Sequence, residues 1–294
     1  MSDAAAVAGL VVLLLLPSLL GYSLVRDLIL HREVCFGIRQ VLTKPASRRT
    51  TALVFVWLAA LWCCVSYGGV IDPRFIPPPH AVGLALVGFF SDRKILTDIG
   101  MSLYRLAVGF SLAAITGTTA GLLAGSFPRI HALVMPVNSF VRYVPATALI
   151  GLFFLWFGLG EVSKIALVFS GVLFFLVQRV ADAAKAVPDE YLEVARTLGA
   201  KRSHIFWRVI FRSALPEILI TWRVELAAAW IFLVIAEMMA SSSGLGNRVA
   251  VAWRYANPSD LFAALFLIGL AGLAFDLAFS GLYRIAFPYL RRGE

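Results

Sequence analysis

The sequence predicts an all-α, polytopic membrane helical bundle of six core spans plus an extra N-terminal span, and three observations predict it. Apolar and aromatic residues make up 60% of the 294 positions, charged residues only 15%, and mean hydropathy is +0.86. Soluble chains average about 45–50% apolar and about 25% charged, too far from these values for a soluble core of this size. Uncharged runs long enough to cross hydrocarbon, about 20 residues each, recur along the chain. Finally, the basic residues cluster between those runs, so the net charge of +9 is an orientation signal and not one for nucleic acid. Cys35, Cys63 and Cys64 are odd in number and two are neighbours in an apolar run, which excludes a disulfide framework.

Seven segments qualify as spans: Ala4–Val25, Thr51–Val70, Gly100–Gly125, Ala132–Phe157, Val162–Val180, Ile218–Met239 and Leu261–Tyr283. The first is not read as a secretory leader. Asp3 precedes its apolar core and Arg26 follows it, the reverse of a basic leader. Residues 1–50 are thus expected to form an extra apolar helix and a basic linker, and residues 51–294 the transmembrane domain. The basic stretches 26–50 and 179–212 are placed in the cytoplasm, with the C-terminus. Ile71–Asp98, Gly158–Glu161 and Ala240–Asp260 then face outward.

In the third segment Gly109, Ala113, Gly117, Gly121 and Gly125 recur every four residues. Lipid provides no hydrophobic drive between helices, so such a stripe predicts a close helix crossing. Charges inside spans are costly and point to function or to pairing. Arg105 and Arg223 lie near a membrane face and are read as snorkelling. Glu161 and Lys164, one turn apart, are read as a solvated pair. Arg142 and Glu237 are the candidates for the solute pathway, Arg142 because Pro136 and Pro145 flank it and break the span.

The stretch from Val187 to Pro216 has its own grammar. Pro188 suits a first helical turn, Asp189, Glu190 and Glu193 suit the N-terminal half, and Gly199 suits a left-handed cap. Ser203 can cap a second helix with an apolar face of Ile205, Phe206, Val209 and Ile210, running until Pro216. A cytoplasmic helical hairpin, at about 182–215, suits docking onto another protein.

Glu193-Val194-Ala195, then Gly199, then Val209 resembles the EAA loop of inner-membrane permease subunits of binding-protein-dependent ABC importers. Further motifs resemble the nitrate, sulfonate, taurine and bicarbonate branch. They are Pro77-Pro78-Pro79, Ser102-Leu103-Tyr104-Arg105 with Gly109-Phe110, Leu155 to Glu161 with Lys164, Ala236-Glu237-Met238, and Gly244-Leu245-Gly246. The resemblance covers about residues 75–285. Val194 stands where the family has Ala, and Phe211-Arg212 where it has Leu-Pro.

The resemblance implies a MetI-like permease fold in a bacterial inner membrane, and a partner for each face. A separate ATP-binding cassette subunit would hold ATP and Mg, leaving no cofactor in this chain. It would receive a coupling helix carrying Glu193, Ala195, Arg196 and Gly199. A periplasmic or lipid-anchored solute-binding protein would dock outside, and a second permease copy would complete the pathway for a small oxyanion or sulfonate. The chain has no Gly-x-x-x-x-Gly-Lys-Ser/Thr loop, no Gly-x-Ser-x-Gly elbow and no His-Glu-x-x-His helix. His31, His80, His131 and His204 are scattered without metal-ligand spacing. An enzyme is therefore not expected. The alternative is a transporter driven by an ion gradient through Arg142, Glu237 and Asp276, but no internal hydropathy repeat supports it. A lipid-modifying enzyme would need a catalytic cluster at a membrane face, and none is visible.

Overall fold

A computed structural model describes residues 44–69, 71–92 and 94–287. The apolar segment Ala4–Val25 and most of the basic linker lie outside the described residues. The chain divides into two compact units, Met1–Leu84 and Ala85–Glu294.

In the first unit α1 (Lys44–Tyr67) contains the apolar stretch Thr51–Tyr67. Its C-terminal turns hold the following segment by side chains. Trp62 Nε1 donates to the Pro77 carbonyl at 3.0 Å, Ser66 Oγ to the Ile76 carbonyl, and the Tyr67 hydroxyl meets His80 Nδ1 at 2.6 Å. Prolines 77–79 have no N–H to donate, so their carbonyls are the groups left for such contacts. Pro79 then opens α2 (Pro79–Ser91), which crosses the unit boundary.

In the second unit Asp92 Oδ1 accepts from the Lys94 N–H at 3.2 Å and caps α3 (Lys94–Ser126). The segment read as one span at Ala132–Phe157 is two helices, α4 (Pro128–Arg142) and α5 (Ile150–Phe157), bent by 82°. Pro145 keeps Val144 out of helical geometry, and the short 3-10 turn Ala146–Leu149 leads into α5. Gly158 at φ +72° ends α5, and α6 (Glu161–Lys185) follows.

After α7 (Asp189–Thr197), one helix runs from Arg202 to Ala240, α8, through a π-helical stretch at Ile205–Ile210. The expected hairpin arm with its Ser203 cap and stop at Pro216 therefore does not exist. Lys201 occupies the cap position, and Pro216 lies inside the helix. A proline leaves one carbonyl a turn earlier unpaired, and a neighbouring local π adjustment is a known way to absorb it. α9 (Leu245–Arg254) and α10 (Pro258–Ala286) complete the unit. Among the described residues four helices are long and apolar enough to cross a membrane, α3, α6, α8 and α10, and the bent α4–α5 pair adds a fifth crossing if counted as one.

The α3–α6 seam organises the bundle. A Cβ added at Gly109 would lie 2.9 Å from Val168 Cβ, at Gly117 2.8 Å from Leu176 Cβ, at Gly121 2.7 Å from the Val177 carbonyl, and at Gly125 2.5 Å from the Ala181 carbonyl. Ala113, between them, has no exposed surface. The close approach tightens toward the C-terminal end of α3, where the nearest opposing atoms at Gly121 and Gly125 include backbone carbonyls that cannot rotate away. Below the seam Leu122, Val180, Ile205, Ile210, Ala214 and Ile218 form an inner core.

Candidate functional site

Two places concentrate chemistry, one at each end of the bundle. The first, at the end that the loop charges assign to the outside, is built on α3. Arg105 has no exposed surface, and its guanidinium is fully used. It donates through Nε and Nη2 to Glu161, through Nη1 to Glu237 Oε1 at 2.7 Å and to the Ser243 carbonyl at 2.8 Å, and through Nη2 to Ser243 Oγ. Glu161 also accepts from Lys164 Nζ at 2.9 Å.

Glu237 is equally enclosed, with zero exposure. Ser102 Oγ lies 2.8 and 2.9 Å from its two oxygens, and the Gly246 N–H donates to Oε2 at 2.9 Å. Side chains at 244 and 246 would strike this carboxylate, since an added Cβ would come within 2.5 Å and 3.2 Å of its oxygens. The first donors of α9 are thereby satisfied by distant side chains: Gly244 N–H by Asp98 at 2.8 Å, Leu245 N–H by Ser102 Oγ at 2.9 Å, and Gly246 N–H by Glu237. Arg248 reaches back to Asp98 at 2.6 Å and Asp92 at 3.3 Å, with Phe89 beneath its guanidinium. The Lys94 N–H, and after it Arg248, holds the exposed Asp92 carboxyl below its ordinary pKa.

This knot corrects two expectations and shows the surroundings of a third residue. Arg105 does not snorkel; burial with Glu161, Glu237 and Ser243 satisfies all its donors without reaching water. Glu161 and Lys164 are not a free solvated pair, because Lys164 is 4% exposed and Glu161 bridges it to Arg105. Glu237, a pathway candidate, faces protein on every side and acts as an anchor for the α8–α9 turn. Asp98, Ser243 and Arg248 were not singled out as site residues. The nearest signal was that the Ser102–Arg105, Glu161–Lys164, Glu237 and Gly244–Gly246 motifs all meet here.

Arg142 stands at the α4 break, half-buried, with its guanidinium 5.7 Å from the Phe175 ring centre. Its Nε is buried without a hydrogen-bond partner among the described residues.

The second place is α7, in the segment that the loop charges assign to the cytoplasm. Asp189 and Glu190 fall in its first turn and Arg196 in its last, matching the helix dipole. It ends in a Schellman motif: Ala200 N–H donates to the Ala195 carbonyl at 3.0 Å, Gly199 N–H to the Arg196 carbonyl at 2.9 Å, and Gly199 sits at φ +74°. Leu192 and Ala195 pack onto the inner core. Glu193, Arg196 and Gly199 are exposed. So are three apolar side chains, Tyr191 at 56%, Val194 at 57% and Leu198 at 81%. Their i, i+3, i+7 spacing makes one stripe, the pattern of a helix laid into a groove. The sequence reading had weighed the charges and the cap but not this stripe. A cavity of about 520 Å³ opens beside α7, with Arg179, Asp182, Tyr191 and Glu217 among its walls.

Residues 117–292 match the family model described as the inner membrane component of binding-protein-dependent transport systems. The putative aliphatic sulfonates transport permease of Bacillus subtilis is 33% identical over 219 residues, 74% of this chain and 79% of that one. The taurine transport system permease of Escherichia coli is 30% identical over 252 residues, 83% of this chain and 92% of that one. Among solved structures, an inward-facing form of the MetNI methionine ABC transporter superposes with a TM-score of 0.58 at 17% identity, covering 65% of this chain and 95% of that one. That likeness bears on the fold.

Proposed function

The chain belongs to the family of inner membrane components of binding-protein-dependent transport systems, a non-catalytic, multi-pass ABC importer permease, and from that premise we propose how it couples and what it carries. α7 is the coupling helix. It seats Tyr191, Val194 and Leu198 in a groove of a separate ATP-binding subunit, with Glu193 and Arg196 flanking the contact and Gly199 fixing the turn that presents it. The observation that carries this reading is the exposed apolar stripe on a capped nine-residue helix, set among basic residues of the inner side. Such a stripe needs a protein cover, and the family works with an ATPase.

ATP-driven closure of two such partners would move α7 on two permease copies and reorient the spans by population shift. The permease would sit in a bacterial inner membrane and receive its solute from an external binding protein. A small oxyanion or sulfonate is the cargo class suggested by relatives named for sulfonates and taurine. Arg142, at the bend of the broken span, is the proposed pathway cation, and its unpaired Nε supports that role. A gradient-driven carrier is less well supported, since Glu237 and Asp276 are each already paired with an arginine.

Leu198→Glu and Glu193→Lys test the assignment. In membranes containing the cognate ATPase and binding protein, Leu198→Glu should reduce ATPase capture at least tenfold, the effect of losing one buried apolar anchor. Undiminished capture and ATP-driven uptake in both variants would overturn the coupling role of α7.

A further inference from the structure

Among the described residues one charge pair differs from the other ion pairs in its exposure. Arg223 on α8 and Asp276 on α10 form a two-pronged ion pair, Nε to Oδ1 at 2.5 Å and Nη2 to Oδ2 at 2.6 Å, yet their side chains remain 44% and 43% exposed. By contrast Arg105 and Glu237 are sealed, and Glu225, two residues from Arg223, is buried against Arg179. Within the spans Ile218–Met239 and Leu261–Tyr283, Arg223 and Asp276 lie five and seven residues from the nearer end, and Arg223, first read as snorkelling, is instead held by Asp276. The next charges inward on the same helices are Glu217 and Arg284, six and eight residues away, or about 9 and 12 Å along the axis. Outward, beyond the buried Glu225, the next charges are Glu237 and Asp260, more than about 20 Å off. An aspartate arm is too short to snorkel over such distances, and lipid tails offer an exposed ion pair nothing. This face therefore meets water.

The pair closes one side of a cavity of about 130 Å³, whose walls also include Trp230, Ala227, Gly272 and Phe275. Trp230 is 8% exposed and its Nε1 has no hydrogen-bond partner among the described residues. A Cβ at Gly272 would lie 3.9 Å from that nitrogen, so the N–H edge of the indole borders the cavity wall. A guanidinium and an unused N–H beside a small cavity are donors for an oxyanion. We propose that Arg223, Asp276 and this cavity line the aqueous route through the assembled permease, where Arg223 exchanges its carboxylate partner for the oxyanion group of a passing solute. Asp276 then recovers Arg223 when the solute leaves, which keeps the site from trapping it; a conducting site must bind weakly enough to release. This inference rests on the importer reading above.

The test places a thiol at Ala227 (Ala227→Cys) in a chain with Cys35, Cys63 and Cys64 replaced, assembled with its ATPase in vesicles. Negatively charged sulfonatoethyl and positively charged trimethylammonium methanethiosulfonates should both modify it. Each rate should change by about threefold and in opposite senses, so that their ratio shifts toward the cation by about tenfold in Arg223→Gln and toward the anion by about tenfold in Asp276→Asn, the effect of one charge about 6 Å away in water. Millimolar methanesulfonate should slow the modification, and less so in Trp230→Phe. Gly272→Ala, whose added methyl meets Trp230 only at ordinary contact distance, should assemble normally but lower ATP-driven uptake severalfold. A thiol that resists both charged reagents while an uncharged maleimide labels it, or that cross-links directly to a second copy, overturns the proposal. So does indifference to methanesulfonate. Absence of ATP-driven uptake in the unsubstituted protein would instead count against the importer reading, leaving the accessibility result to stand alone.

Discussion

Arg105→Met removes a guanidinium that is buried among Glu161, Glu237 and Ser243, and the consequence differs for each partner. Glu161 keeps Lys164 at 2.9 Å and is 39% exposed in its side chain, so water can take over. Glu237 has no exposed surface and keeps only the Ser102 hydroxyl and the Gly246 N–H. Stranding a buried charge costs about 3–5 kcal/mol, and two remaining donors put the estimate near the lower end, about 3 kcal/mol. At about 2–4 °C per kcal/mol for a domain of this size, the apparent Tm of the purified permease should fall by about 6–12 °C. Arg105→Met/Glu237→Gln removes the stranded charge while keeping its shape, and should regain at least half of the loss. The assay is thermal unfolding in detergent at neutral pH. A single variant within about 2 °C of the parent, or a double variant no more stable than the single, would refute the view that Arg105 and Glu237 anchor the outer end.

Two further outcomes follow from local geometry. Gly125→Ala should destabilise by about 1–3 kcal/mol, since its methyl would meet the Ala181 carbonyl at 2.5 Å, whereas Gly100→Ala, with nothing within 4 Å, should leave the melting temperature unchanged or higher. Asp92 has its carboxyl lowered in the folded chain by the Lys94 N–H and by Arg248, so its contribution is present at neutral pH and is lost only as pH falls through that lowered value. Asp92→Asn should therefore melt slightly lower than the parent at pH 7 and converge with it as pH falls toward 3, so that its stability curve is the flatter of the two, measured by melting between pH 3 and pH 7.

What could be read from sequence, and what could not, divides by distance along the chain. The Gly109–Gly125 stripe and the Gly199 cap were legible because each depends on spacing within a single helix. Arg105 was misread because its partners Glu161, Glu237 and Ser243 lie 56, 132 and 138 residues away; a lone arginine near a helix end looks the same whether it snorkels or is sealed. The motifs that resembled the family were correct as marks of kinship, yet nothing in their order disclosed that Ser102, Arg105, Glu161, Glu237 and Gly246 would meet at one point. Pro216 was misjudged for the opposite reason. Its local rule, that proline ends a helix, was overridden by a π-helical stretch just before it. The Tyr191, Val194 and Leu198 stripe was present in the spacing, but in a segment weighed for its charges.

α8 is continuous over 39 residues, or about 58 Å at the α-helical rise. One end abuts α7 and the other is clasped by Ser102, Arg105 and the α9 amides through Glu237. Such a rod is a lever. A tilt of about 6° about its inner end would carry the outer end about 6 Å over that length. Its π-helical stretch and Pro216 lie near the α7 end, so the remaining turns would carry a displacement applied there to the Glu237 end with little loss to bending.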